Sequence, residues 1–213
     1  MNIFEKLFAQ TEIPKLYPVH FTLPRGTIKR AEIEALLFGE FAEKRLDCQI
    51  RPGMSVAIAV GSREITNLAE IVKTVVEFVK RSGGIPFIFP AMGSHGGAAA
   101  EGQLKVLSGY GVTEAAMGCP IRSSMETVQI STTAGGLPVH IDKYADEADG
   151  IIVIGRIKPH TDFRGKYESG LMKMLTIGLG KQYGANLCHS MGMSNMPETI
   201  EAYAGEVLRL KNV

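Results

Sequence analysis

RPGMSVAIAVGSREITNLAEIVKTVVEFVKRSGGIPFIFPAMGSHGG, residues 51–97, decides the fold. VAIAV is a short aliphatic run that stops at the loop GSREIT. It has no polar alternation, as in a strand buried on both faces of a sheet. NLAEIVKTVVEFVKRSGG follows with Ile, Val and Phe at helical spacing, Asn67 placed as a helix cap and a Gly-Gly stop. IPFIFP is a second aliphatic run and ends in the glycine loop AMGSHGG. Strand, loop, helix, strand in this order is the pattern of a parallel sheet with right-handed crossovers.

The same pattern extends both ways. AAAEGQLKVLSGYG reads as the next helix. METVQISTTAGGLPVHIDKY reads as two β segments joined at Gly-Gly, a hairpin inserted near 126–142. ADEADGIIVIGRIKPH returns to a short helix, an aliphatic strand and a loop. ESGLMKMLTIGLGKQYGANLCHS is apolar and helical in parts, and MPETIEAYAGEVLRLKNV is an amphipathic helix with Pro197 in its first turn. Upstream, AEIEALLFGEFAEKRL has helical spacing, while residues 1–30 read as an extended arm in which KLYPVHFTLP suits an edge strand. The fold class is therefore α/β: a mainly parallel, Rossmann-like open sheet with helices on both faces and one inserted hairpin. We expect residues 1–213 to form one domain.

Composition narrows the function classes. A net charge of +1 gives no general attraction to nucleic acid or an anionic membrane. Cys48, Cys119 and Cys188 are far apart and form no CxxC pair, which fits a reducing cytoplasm better than a disulfide scaffold or a zinc ribbon. The N-terminus has no apolar core of signal-peptide length, and no stretch reaches the roughly 18 apolar residues of a membrane span. We expect a soluble cytoplasmic protein.

In open parallel sheets ligands bind beyond the carboxyl ends of the strands. Three strands end there in loops that carry Arg63, His95 and His160. Two neutral imidazoles facing across a small substrate suit proton removal from either side, and an arginine between them suits a carboxylate. GSHGG also reads as an anion-binding nest, although it lacks the Lys-Ser/Thr of a P-loop. Lys173, in SGLMK, sits among residues that look buried, where an amine tends toward its neutral, nucleophilic form. A lysine snorkelling from a helix end is the plainer reading. His189 in NLCHSMG is by itself an ordinary core or surface histidine, and adjacent Cys188 points elsewhere.

SHGGAAAEGQ, KPHTDF, SGLMK and the later His189 together resemble the lactate racemase family of nickel-pincer-nucleotide enzymes. The resemblance runs roughly from Pro52 to Met191 and corresponds to the family's N-terminal domain. It implies an isomerase that racemises or epimerises a small 2-hydroxy acid by reversible hydride transfer. Lys173 would tether the pincer nucleotide as a thioamide, and His189 would be the protein ligand to nickel. His95 and His160 would be alternate bases on the 2-hydroxyl. Ser62 and Arg63 would contact cofactor, and Arg63 also substrate. The loop here reads Gly61-Ser62-Arg63-Glu64, where the family has an aspartate and a threonine before the arginine and a proline after it. FRGKYE also differs from the lactate enzyme, so Lys166 and Glu168 are expected to alter substrate choice. The family's C-terminal domain is not in these residues, so that domain or a homo-oligomer partner is expected to close the site. Two other readings stand beside this one. One is a metal-dependent hydrolase or lyase built on His95, His160 and His189. The other is a cofactor-less nucleotide- or anion-binding module.

Overall fold

The computed structural model describes residues 2–9, 14–20, 28–62 and 65–213. Strands β1 (Ser55–Val60), β2 (Ile85–Pro90) and β5 (Gly150–Ile154) form a parallel sheet in the order β2-β1-β5. Val60 lies opposite both Pro90 and Ile154, so all three strands end level at their carboxyl ends. Strands β3 (Thr127–Thr132) and β4 (Pro138–Asp142) pair antiparallel as the inserted hairpin.

The helices are α1 (Ile3–Ala9), α2 (Ile33–Glu43), α3 (Leu68–Arg81), α4 (Ala100–Gly109) and α5 (Glu114–Met117), then α6 (Lys143–Glu147), α7 (Leu171–Lys173), α8 (Lys181–Ser190) and α9 (Met196–Leu210). α7 runs directly into a wide π-helical turn, Met174–Gly178. Turns of this kind are uncommon and frequent at functional sites.

Alternation along the strands divides the core. Val56, Ile58 and Val60 face α3, whose buried Leu68, Val72, Val75, Val76 and Val79 recur at helical spacing. Ala57 and Ala59, with Phe87, Phe89 and Ile151, face the hairpin and α9. Each fully buried aliphatic side chain contributes roughly 1.5–3 kcal/mol, so this two-sided sheet is the rigid base of the molecule. Tyr203 of α9 clips the hairpin in place. Its hydroxyl accepts from the His140 N–H at 2.7 Å and donates to the His140 carbonyl at 2.6 Å.

Two expectations change. Residues 3–9 are helical, and residues 14–20 have no regular structure, so the described part of the arm is neither uniformly extended nor an edge strand. Pro14 and Pro18 offer no N–H, and Leu16, Tyr17 and Val19 remain exposed with no strand beside them among the described residues. Asn67 stands at the N-cap position of α3, yet its backbone is left-handed (φ 59°) and its side chain makes no capping bond.

Candidate active site

The loop after β2 is shaped by glycine. Gly96, Gly97 and Ala98 all have positive φ. Helix α4 packs directly on this loop: a Cβ on Gly102 would lie 1.8 Å from the Gly96 carbonyl oxygen, so only hydrogen fits between them. The arrangement projects His95 from the carboxyl end of β2. Ser62, just past β1, meets it there, with Ser62 Oγ 2.5 Å from His95 Nδ1. The Ser62 carbonyl in turn accepts from the Tyr110 hydroxyl at 2.7 Å. His95 is thus held through Nδ1.

The loop after β5 is held differently. Ser169 Oγ accepts from the Lys158 N–H at 2.7 Å and returns a bond to the Lys158 carbonyl. Glu168 accepts from the His160 N–H at 2.9 Å and the Gly165 N–H at 3.3 Å, and those bonds hold its carboxyl below the usual range. The Asp162 N–H donates to His160 Nδ1 at 3.2 Å. A ring nitrogen that accepts is unprotonated, so neutral His160 carries its proton on Nε2. The ring stacks on Phe163 with centroids 4.1 Å apart, and Lys173 Nζ lies 5.8 Å from the same Phe163 ring. Burial lowers the His160 pKa, and the nearby Lys173 charge lowers it further.

His95, His160, Lys173, His189 and Ser62 line one cavity of about 330 Å³. That lies within the usual small-ligand range of about 300–1,000 Å³. Arg156 and Lys158 line it too, and no Asp or Glu does among the described residues. The cavity is therefore positive and suited to an anion. Sequence reasoning passed over Arg156 and Lys158, although both lie within RIKPH, the strand-end loop that carries His160. A larger apolar groove of about 1010 Å³ follows the outer side of β5 between Phe41, Ile50, Tyr167 and Leu208, but it contains none of the histidines.

The structure bears on several individual expectations. Lys173 is half-buried, not enclosed, because α7 presents it to the cavity. Lys166 pairs with Glu201 at 3.0 Å, and neither Lys166 nor Glu168 lines the histidine cavity, so direct substrate contact through them is not supported. His189 is exposed while Cys188 is fully buried with its thiol pushed up to about 12, so the two do not act as a pair. Arg63 lies outside the described residues.

The three histidines share the cavity, yet among the described residues no three His, Cys, Asp or Glu side chains group as a metal-ligand set. An all-protein zinc centre on His95, His160 and His189 therefore lacks support. The cavity offers separate imidazoles and one amine rather than a clustered ligand set.

The lactate racemase N-terminal domain model matches residues 12–200. The chain belongs to this family. Among curated proteins, none matches the chain in sequence. The family match spans both β-edge loops, α7 and α8, so every described residue lining the histidine cavity falls inside it. Among the described residues no helix is long and apolar enough to cross a membrane.

Proposed function

We propose that this lactate racemase-family domain holds the cofactor of a 2-hydroxy acid racemase or epimerase. The observation that carries the reading is the meeting of Lys173, His189, His95 and His160 in one cavity that has Arg156 and Lys158 and no carboxylate among its described lining residues. Lys173 is the residue that would tether a nickel-pincer nucleotide, and His189 the imidazole that would complete its metal. When bound, that group supplies a reversible hydride acceptor for the carbon bearing the hydroxyl.

The chain's own residues do the rest. Arg156 and Lys158 attract the substrate carboxylate and favour an anionic acid over a neutral alcohol. His95, whose Nδ1 is engaged by Ser62 Oγ, is the base that takes a hydroxyl proton. Neutral His160 presents Nε2–H as a hydrogen-bond donor to the substrate oxygen. The pair is thus poised as one base and one hydrogen-bond donor, and exchange of those roles would serve the opposite antipode. For His160 the exchange requires release of the Asp162 N–H from Nδ1. Depression of the His160 pKa keeps that ring neutral near pH 7, the state in which it donates from Nε2 without holding a second proton.

The test is intact mass and metal analysis of the chain made in a host that synthesises the pincer cofactor, followed by chiral analysis of 2-hydroxy acids. A mass increase mapped to Lys173 with about one nickel per chain, as a single site requires, together with loss of both in Lys173→Ala, supports the reading. An unmodified, metal-free chain from that host refutes it and leaves the anion-binding module as the better description.

A further inference from the structure

Lys181 is fully buried, and so is Asp142. Lys181 also has a left-handed backbone (φ 54°), a conformation that a long side chain adopts only where its surroundings hold it. A buried lysine on a strained backbone is an expensive way to begin a helix, and its contacts explain it. Nζ donates to the Pro90 carbonyl at 2.5 Å and to Gln103 Oε1 at 3.3 Å. It lies 2.8 Å from Asp142 Oδ2, off the direction of a good hydrogen bond, so that oxygen is held by charge. Asp142 Oδ1 meanwhile caps α6 by accepting from the Tyr144 and Ala145 N–H groups.

Gln103 carries the chain of contacts onward. Its amide donates to the Gly93 carbonyl at 2.9 Å and the His95 carbonyl at 3.3 Å. Pro90 is the last residue of β2, and Gly93 and His95 lie in the loop that follows it. Lys181 is the first residue of α8, the helix that carries His189. One buried amide and one buried ammonium therefore join the root of the His95 loop to the root of the His189 helix. Neither lines the cavity.

We propose that Gln103 and Lys181 are positioning residues that fix the His95 loop relative to α8, and so set His95 against His189 across the cavity. The proposal rests on the reading that these two histidines serve one site. Gln103 acts as an adapter: its oxygen faces the ammonium and its nitrogen faces the loop. Each end is needed, since an amide that loses either partner is free to rotate.

The experiment compares the full chain with Gln103→Leu and Gln103→Glu, and uses Val79→Ala, a cavity in α3 near the amino end of β2, as a control that lowers stability away from the loop. Two readouts are taken: amide exchange across residues 93–98, and the imidazole ¹⁵N signals of His95. Gln103→Glu retains an acceptor for Lys181 but loses both donors to the loop. In both Gln103 variants we expect exchange at 93–98 to speed up at least about tenfold, as for a segment that has lost its buried hydrogen bonds, and the His95 signals to move. Exchange in β1 should change far less. Val79→Ala should lower the melting temperature with no effect on His95. If the Gln103 variants behave like Val79→Ala, with a loss of stability and an unaltered His95, the proposal is overturned. These readouts need no cofactor, so a chain that never acquires an adduct on Lys173 can still pass, and a loaded chain can still fail.

Discussion

Gly102→Ala is the sharpest test of how α4 supports the His95 loop. A Cβ at this position falls 1.8 Å from the Gly96 oxygen and 2.7 Å from its carbonyl carbon. Cβ atoms essentially never come closer than 3.0 Å to a neighbour, so the loop or the helix must retreat by about 1.2 Å. The obstacle is backbone, and it cannot swing away as a side chain would. Overpacking of this kind costs about 1–3 kcal/mol, and alanine returns up to about 1 kcal/mol of helix propensity. With the overlap here at the severe end, the net loss is about 2 kcal/mol. For a domain of this length that lowers Tm by about 4–8 °C. Gly109, at the end of the same helix, has nothing within 4 Å of a built Cβ, so Gly109→Ala should be neutral or slightly stabilising. Calorimetry of the two variants gives the comparison, and His95 imidazole NMR shows whether the retreat reaches the ring. A displacement near 1 Å costs on the order of 100-fold in rate where geometry is catalytic. A Gly102→Ala protein as stable as Gly109→Ala, with unmoved His95 signals, would refute the close packing of α4 on the loop.

Tyr203→Phe removes both bonds to the His140 peptide and leaves a largely buried N–H and C=O without that partner. We expect a loss of about 1–3 kcal/mol by denaturant titration. Lys181→Met leaves the Asp142 carboxylate buried opposite an apolar side chain, and Tm should fall by about 6–20 °C, corresponding to about 3–5 kcal/mol for breaking a buried pair. Lys173→Met takes a positive charge from beside His160, so the His160 titration midpoint should rise, as read by NMR. His140 and His160 are both held below the ordinary imidazole value, chiefly by burial. The unfolded chain takes up these protons first as pH falls. The stability they contribute is therefore complete above about pH 6.5 and is lost as pH falls through their lowered folded values. Tm measured from pH 7.5 down to 5.5 should decline, and less steeply in His140→Gln.

The parts of the molecule legible in the sequence are those that local periodicity encodes. VAIAV, IPFIFP and IIVIG became the three parallel strands because an aliphatic run between turn signals has few other ways to be buried. The histidines could be placed on one edge because parallel strands end on the same side, whatever partners they choose. Lys173 was misjudged on the same local grounds. Leu175 is buried, but Leu171 is exposed and Met172 and Met174 are half-buried, and Lys173 itself lines the cavity.

Contacts between distant segments had no such signal. Gln103 and Lys181 are 78 residues apart, and nothing in AEGQLK or GLGKQY marks either as buried and paired. Helical spacing reports that a position faces inward but says nothing of what waits there. Lys181 is the extreme case, because a lysine at a helix start reads as surface. Its burial makes sense only once the fold has brought Pro90, Gln103 and Asp142 together around it. The residues that touch a ligand and those that aim them are therefore unequally readable. The first lie on exposed loops where few structural reasons exist for a histidine, whereas the second are hidden among core positions whose chemistry is apparent only in three dimensions.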